Sequence, residues 1–179
     1  MKGFIFGIIT LVLILALGLV FVEMGFVNMR ADNPPSNMET TLAGHAMDAS
    51  VARAAPKLVN PIAADETNLL AGARLYRDHC MLCHGDPVNP KSPLADAFNP
   101  RAPQFMNNMA EMPDMPENQN FFILQHGIRW TAMPGWKNIL SDQQLWQLVT
   151  FLSHMHDLSP AAKQLFAEPA PPRTSPPFH

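Results

Sequence analysis

Residues 80–84 read Cys80-Met81-Leu82-Cys83-His84, the pattern C-x-x-C-H, and hold both cysteines of the 179-residue chain. Two thiols so close together cannot staple distant parts of a domain, so a disulfide framework is excluded. At the end of a helix they lie on one side of a turn, placed to add across the two vinyl groups of one haem. The histidine directly after the second thiol is then held beneath the iron and can ligate it. Covalent attachment retains the cofactor while leaving one edge exposed. It also adds a large apolar body to a domain otherwise too small for a thick core.

Two other uses of a cysteine pair compete. A zinc site would draw on Cys80, Cys83 and two of His79, His84, His126, His154 and His156. Structural zinc sites pair C-x-x-C with a second ligand pair at recognisable spacing. His154 and His156 make a poor pair, because positions i and i+2 of a helix face different ways. A thioredoxin-like dithiol would need strands alternating with helices, and no stretch alternates in the strand fashion.

A haem ligated by His84 has a second axial position. Met133, in Thr131-Ala132-Met133-Pro134-Gly135-Trp136, stands 49 residues after His84. The proline after it stiffens a loop that must present a thioether to iron. Soft sulfur opposite imidazole stabilises ferrous iron and raises the potential. The chain has 12 methionines, and any one of them is more often core filler than ligand. Met106, Met109, Met112 and Met115 recur every third residue and suggest copper, but Pro113 and Pro116 prevent one helical face there. Loop packing beside the haem suits them better. His126, His154 and His156 are rival axial ligands, each with surface or capping roles as the simpler reading.

Working outward, Asp65 or Thr67 caps a helix running through Leu69, Leu70, Ala73, Leu75 and Tyr76 to Cys80. Residues 85–116 are proline-rich and loop-like. A second helix begins after Pro116 and ends at Gly127. A third opens on a capping box, Ser141-Asp142-Gln143-Gln144, and carries Leu145, Leu148, Val149 and Leu152 at helical spacing. The expected fold is all-α, with the haem domain at 65–158. A proline-rich tail, 159–179, follows it, with a short helix at Ala161–Phe166 and an extended remainder.

The amino-terminal run Phe4–Val22 has no charge and one hydroxyl. As a helix it would span roughly 28 Å, close to the hydrocarbon thickness of a bilayer. A cleaved signal has a shorter apolar core and a small-x-small exit, and Val22–Pro35 offers no convincing one. Residues 1–24 are therefore expected to be a transmembrane anchor, with 25–64 a proline- and alanine-rich tether lacking apolar periodicity. Lys2 before the run weakly favours an inside amino terminus.

Charged residues make up 15% of the chain, and the formal charge is −3 with a pI near 6.1, which gives no reason to expect nucleic acid. Residues 65–158 hold ten acidic and six basic side chains, a formal charge of −4. A partner surface that is not strongly acidic is expected.

These residues together resemble the class I c-type cytochromes over about 66–158. In that family a Gly-x-x-x-aromatic helix crosses a Leu-x-x-aromatic helix, and Gly72/Tyr76 and Leu148/Phe151 fit the two patterns. Segments similar to His126-Gly127-Ile128 followed by Met133-Pro134-Gly135-Trp136 occur in membrane-attached bacterial members. The resemblance implies one haem c attached through Cys80 and Cys83 and ligated by His84 and Met133. It implies propionate contacts near Met133, for which Arg129, Trp130, Trp136 and Lys137 have donors. It also implies a proline carbonyl holding the other ring nitrogen of the ligand histidine, from Pro93, Pro100 or Pro103. The loop after His84 departs from the glycine-rich stretch common in the family. The expected function is single-electron transfer between redox proteins on the periplasmic side of a bacterial cytoplasmic membrane, as in a respiratory chain, with no small-molecule substrate. Rival expectations are a haem subunit of a larger respiratory or dehydrogenase complex, and a gas sensor or peroxidase with an open iron position.

Overall fold

A computed structural model describes residues 2–106 and 115–168. Among these the chain is all-α, with no strand. It divides into two units, Met1–Asn33 and Pro34–His179.

The first unit is built on α1, Lys2–Glu23. Its apolar side chains are exposed all round, Leu17 to 68% and Phe4 to 75%. At 1.5 Å per residue the helix is about 33 Å long, enough to cross a hydrocarbon core.

The second unit is organised by a crossing of α3, Glu66–His79, and α6, Asp142–His154. Asp65 caps α3 by accepting from the Asn68 amide at 2.9 Å. Ser141 and Gln144 cap α6 reciprocally, as the capping box predicted. Gly72 sits where the two backbones meet. A Cβ on Gly72 would collide with the Gln147 carbonyl and lie 2.6 Å from the Phe151 Cβ, so only glycine permits this approach. Tyr76 and Phe151 pack beside it with ring centroids 5.4 Å apart. Leu145, Leu148 and Val149 complete the buried face of α6. Helix α5, Glu117–His126, joins through Phe121, which stacks on Trp146 at 4.1 Å.

Two segments depart from expectation. The 25–64 stretch contains an 18-residue helix, α2, Asn37–Ala54, opened by a Ser36–Glu39 capping box. Its apolar pattern was invisible because Val51 is its only buried residue; local capping and alanine-rich composition carry the helix instead. The expected short helix after Ser159 forms as α7, Pro160–Ala167, but belongs to the folded body rather than to a tail. Leu165 and Phe166 are buried against α3, and the Phe166 ring meets Tyr76 at 6.2 Å. The expected extended remainder, and Met109 and Met112, lie outside the described residues.

Candidate functional site

The C-x-x-C-H motif forms where α3 ends. The Cys80 amide still closes the last turn of α3 on the Tyr76 carbonyl at 2.8 Å. The Cys80 carbonyl then accepts from the amides of Cys83 at 3.1 Å and His84 at 3.0 Å. This makes a short helix, α4, Met81–His84, which ends at Gly85 with φ +77°. A Cβ at Gly85 would lie 2.6 Å from the Pro90 carbonyl oxygen. The buried Tyr76 hydroxyl donates to the Gly85 carbonyl at 2.9 Å, tying the motif to the helix crossing. In place of a glycine-rich stretch, Asp86 orders the next turn by accepting from the Val88 and Asn89 amides, both at 2.7 Å.

Three consecutive residues from a distant loop hold the motif in place. The His84 Nδ1 lies 2.9 Å from the Pro103 carbonyl oxygen. A carbonyl accepts only, so Nδ1 carries the proton and Nε2 is left as the lone-pair nitrogen. The Phe105 ring stacks on the imidazole, 4.6 Å between centroids and 6° from parallel. Gln104, with no exposed surface, donates to the Cys83 carbonyl at 2.8 Å and accepts from the Ser92 amide at 2.6 Å. Of the three prolines considered, Pro103 is the one at His84. Gln104 and Phe105 were not foreseen, because nothing in a loop sequence marks a glutamine or phenylalanine that will meet a motif some twenty residues away.

The Met133 segment is held by the loop that follows α5 and by α5 itself. Its amide donates to the Thr131 hydroxyl and its carbonyl accepts from the Ile128 amide, both at 3.1 Å. The Trp136 amide donates to the Leu124 carbonyl at 2.9 Å. Gly127, with φ +69°, allows the close approach: its Cβ would lie 2.5 Å from the Met133 carbonyl oxygen and 2.6 Å from the Pro134 carbonyl carbon.

Cys80, Cys83, His84 and Met133 all line one cavity of about 430 Å³, inside the range of about 300–1,000 Å³ usual for ligand and cofactor sites. Its remaining walls are largely apolar, with Phe98, Ile123, Leu148 and Leu152 among them. The rival axial histidines His126, His154 and His156 do not line it; His79, weighed above only for zinc, does, with its ring 5.1 Å from that of Trp136. Among the described residues no three His, Cys, Asp or Glu side chains are grouped to hold a metal, so the zinc reading lacks its further ligands. Met106 is packed against the core.

The pocket favours neutral side chains. Burial, and then the neighbouring Cys83, pushes the Cys80 thiol up to about 12, which disfavours thiolate. Burial also holds the His84 imidazole below its usual pKa, partly countered by the Pro103 hydrogen bond, which favours the neutral ring. Of the four propionate donors considered, only Trp136 lines the cavity, and its indole Nε1 is buried without a hydrogen-bond partner. A buried donor in that condition is costly until an acceptor reaches it. Trp130 is 88% exposed and stands outside the lining, as do Arg129 and Lys137. Arg101 lines the cavity and was not anticipated. The apolar walls, the two thiols, the imidazole, the Met133 thioether and the unpartnered Trp136 donor lining one cavity fit a haem carrying carboxylates.

Residues 67–152 match the family model described as cytochrome c oxidase, cbb3-type, subunit III. The chain is 31% identical over 138 residues to one of the subunits of nicotinate dehydrogenase from Pseudomonas putida. That alignment covers 73% of this chain but 11% of the relative, so the chain spans about a tenth of that protein's length. Among solved structures it is similar to the Kuenenia stuttgartiensis reducing HAO-like protein complex Kustc0457/Kustc0458, at 21% identity and a TM-score of 0.45. That likeness covers 54% of this chain and 48% of the other. With the motif, the helix crossing and the family match in agreement, residues 67–152 of the chain form a c-type cytochrome domain.

Proposed function

We propose that this chain is a membrane-anchored, single-haem electron carrier whose haem domain works on the periplasmic side. The observation that carries the reading is the shared cavity, with Cys80, Cys83 and His84 contributed by one segment and Met133 by another. Cys80 and Cys83 would hold the haem through thioethers, and His84 Nε2 and the Met133 sulfur would be the ligands to its iron. The haem, when bound, would supply a one-electron couple between redox proteins. The protein's part would be to hold the iron between the His84 and Met133 side chains, leaving no place for a substrate. Pro103 fixes the imidazole tautomer, Gly127 lets the Met133 segment pack, and the apolar walls hold water away.

Helix α1 serves as the anchor, and attachment of haem to C-x-x-C-H outside the cytoplasmic membrane agrees with its orientation. Anchoring confines the search to partners on the same membrane and raises their effective concentration. The similarity to a protein named as a dehydrogenase subunit favours a second reading, in which the domain is the haem-bearing subunit of an oxidoreductase complex.

Expression of the full chain in a host able to attach haem tests the central reading. The reduced alkaline pyridine spectrum should be that of haem with both vinyl groups converted to thioethers. Cys80→Ala or Cys83→Ala should leave a single thioether, shifting the band toward longer wavelength. A spectrum insensitive to both substitutions contradicts attachment at these residues. Co-purification from mild detergent separates carrier from complex subunit.

A further inference from the structure

Helix α2 lies outside the residues matched to the cytochrome family, which begin at residue 67, yet it contacts the domain. Half-buried Gly44 and Met47 and buried Val51 follow i, i+3, i+7 spacing and so share one face of the helix. Helix α2 packs on α5. Met47 lines the same cavity as Cys80, His84 and Met133, and α5 contributes Asn120 and Ile123 to it. The chain leaving α2 is fastened to the domain. The Pro56 carbonyl accepts from Asn118 Nδ2 at 2.9 Å, and Asn60 Nδ2 donates to the buried Thr150 hydroxyl at 2.9 Å.

Resting on the haem reading above, we propose that α2 is a wall of the haem pocket and that Met47 is a haem-contacting positioning residue supplied from outside the family domain. Its thioether excludes water from the pocket without ligating iron. Ferric haem with two neutral axial ligands carries net charge at the iron, and an apolar wall disfavours that form. A docked α2 therefore raises the midpoint potential and slows entry of exogenous ligands. The segment joining the anchor to the haem domain thus tunes the cofactor.

The test uses the full-length, haem-loaded chain. Met47→Gln keeps the length of the side chain but wets the pocket, and Val51→Asp undocks the helix. Met38→Gln, at a position 79% exposed on the same helix, is the control. Three quantities are read: midpoint potential, the rate at which imidazole binds ferric iron, and amide hydrogen exchange across residues 42–54. Met47→Gln should lower the potential and speed imidazole binding several-fold. Val51→Asp should do both more strongly and abolish exchange protection in α2, while Met38→Gln matches the parent. Loss of α2 protection with unchanged potential and imidazole rate would overturn the proposal, as would an inert Met47→Gln in a protein with α2 protected. Absence of c-type absorbance in the parent would instead sink the functional reading on which the proposal rests.

Discussion

The Pro103 carbonyl oxygen stands 2.9 Å from Nδ1 of His84, and the next two residues, Gln104 and Phe105, brace the same five-residue motif from the backbone and from the ring face. The His84 imidazole is therefore oriented by a loop. One of these braces is the fully buried amide of Gln104. Replacing Gln104 by Leu leaves the Cys83 carbonyl and the Ser92 amide without this partner. Stability should fall by about 2–3 kcal/mol, measured by urea unfolding of the haem-loaded protein. An unchanged midpoint would mean the motif holds its shape unaided.

Gly72→Ala addresses the helix crossing. The added methyl would overlap the Gln147 carbonyl, whose backbone cannot retreat without moving α6. A cost of about 2–3 kcal/mol follows, seen as a fall in melting temperature of roughly 10 °C or more for a domain of this size. A shift of a degree or two would show that the helices separate easily.

Gly127→Ala separates ligand placement from haem attachment. The substitution forces a left-handed residue and drives the Met133 carbonyl away. The c-type absorbance should persist while the methionine–iron band weakens or disappears. Retention of that band at full strength would contradict the proposed role of the glycine.

Tyr76→Phe gives a pH-dependent signature. Burial, then Cys80 and Asp86, raise the folded-state pKa of this phenol far above its usual value of about 10. The folded protein thus keeps the proton while the unfolded chain loses it. The hydroxyl's contribution of about 1 kcal/mol is therefore fully present below about pH 10 and shrinks as pH rises beyond that. Urea unfolding of parent and variant should show a constant gap from neutral to mildly alkaline pH that closes above about pH 10. A gap that widens there would reverse the sign of the argument.

Much of the architecture was legible because it rests on local signals. Asp65 and Ser141 announce their helices by capping chemistry, α6 carries its buried face as a 3.6-residue stripe, and Gly72 and Phe151 mark the crossing. Cys80, Cys83 and His84 fall within five residues, and Met133 is flagged by Pro134. What stayed hidden depends on tertiary contact. Helix α2 buries one residue and so shows no periodicity, and α7 looks like tail until Phe166 meets Tyr76. The choice of Pro103 over Pro93 and Pro100, and the service of Gln104, are decided by how a loop folds back across some twenty residues.

The most direct test of the central claim is the absorption spectrum of the purified full-length protein, oxidised and reduced, beside Met133→Ala. A sharp c-type band on reduction, with a weak far-red methionine–iron band on oxidation that Met133→Ala removes, is the predicted result. A c-type spectrum whose far-red region is unaffected by Met133→Ala would contradict His84/Met133 ligation, and a protein without haem absorbance would contradict the account as a whole.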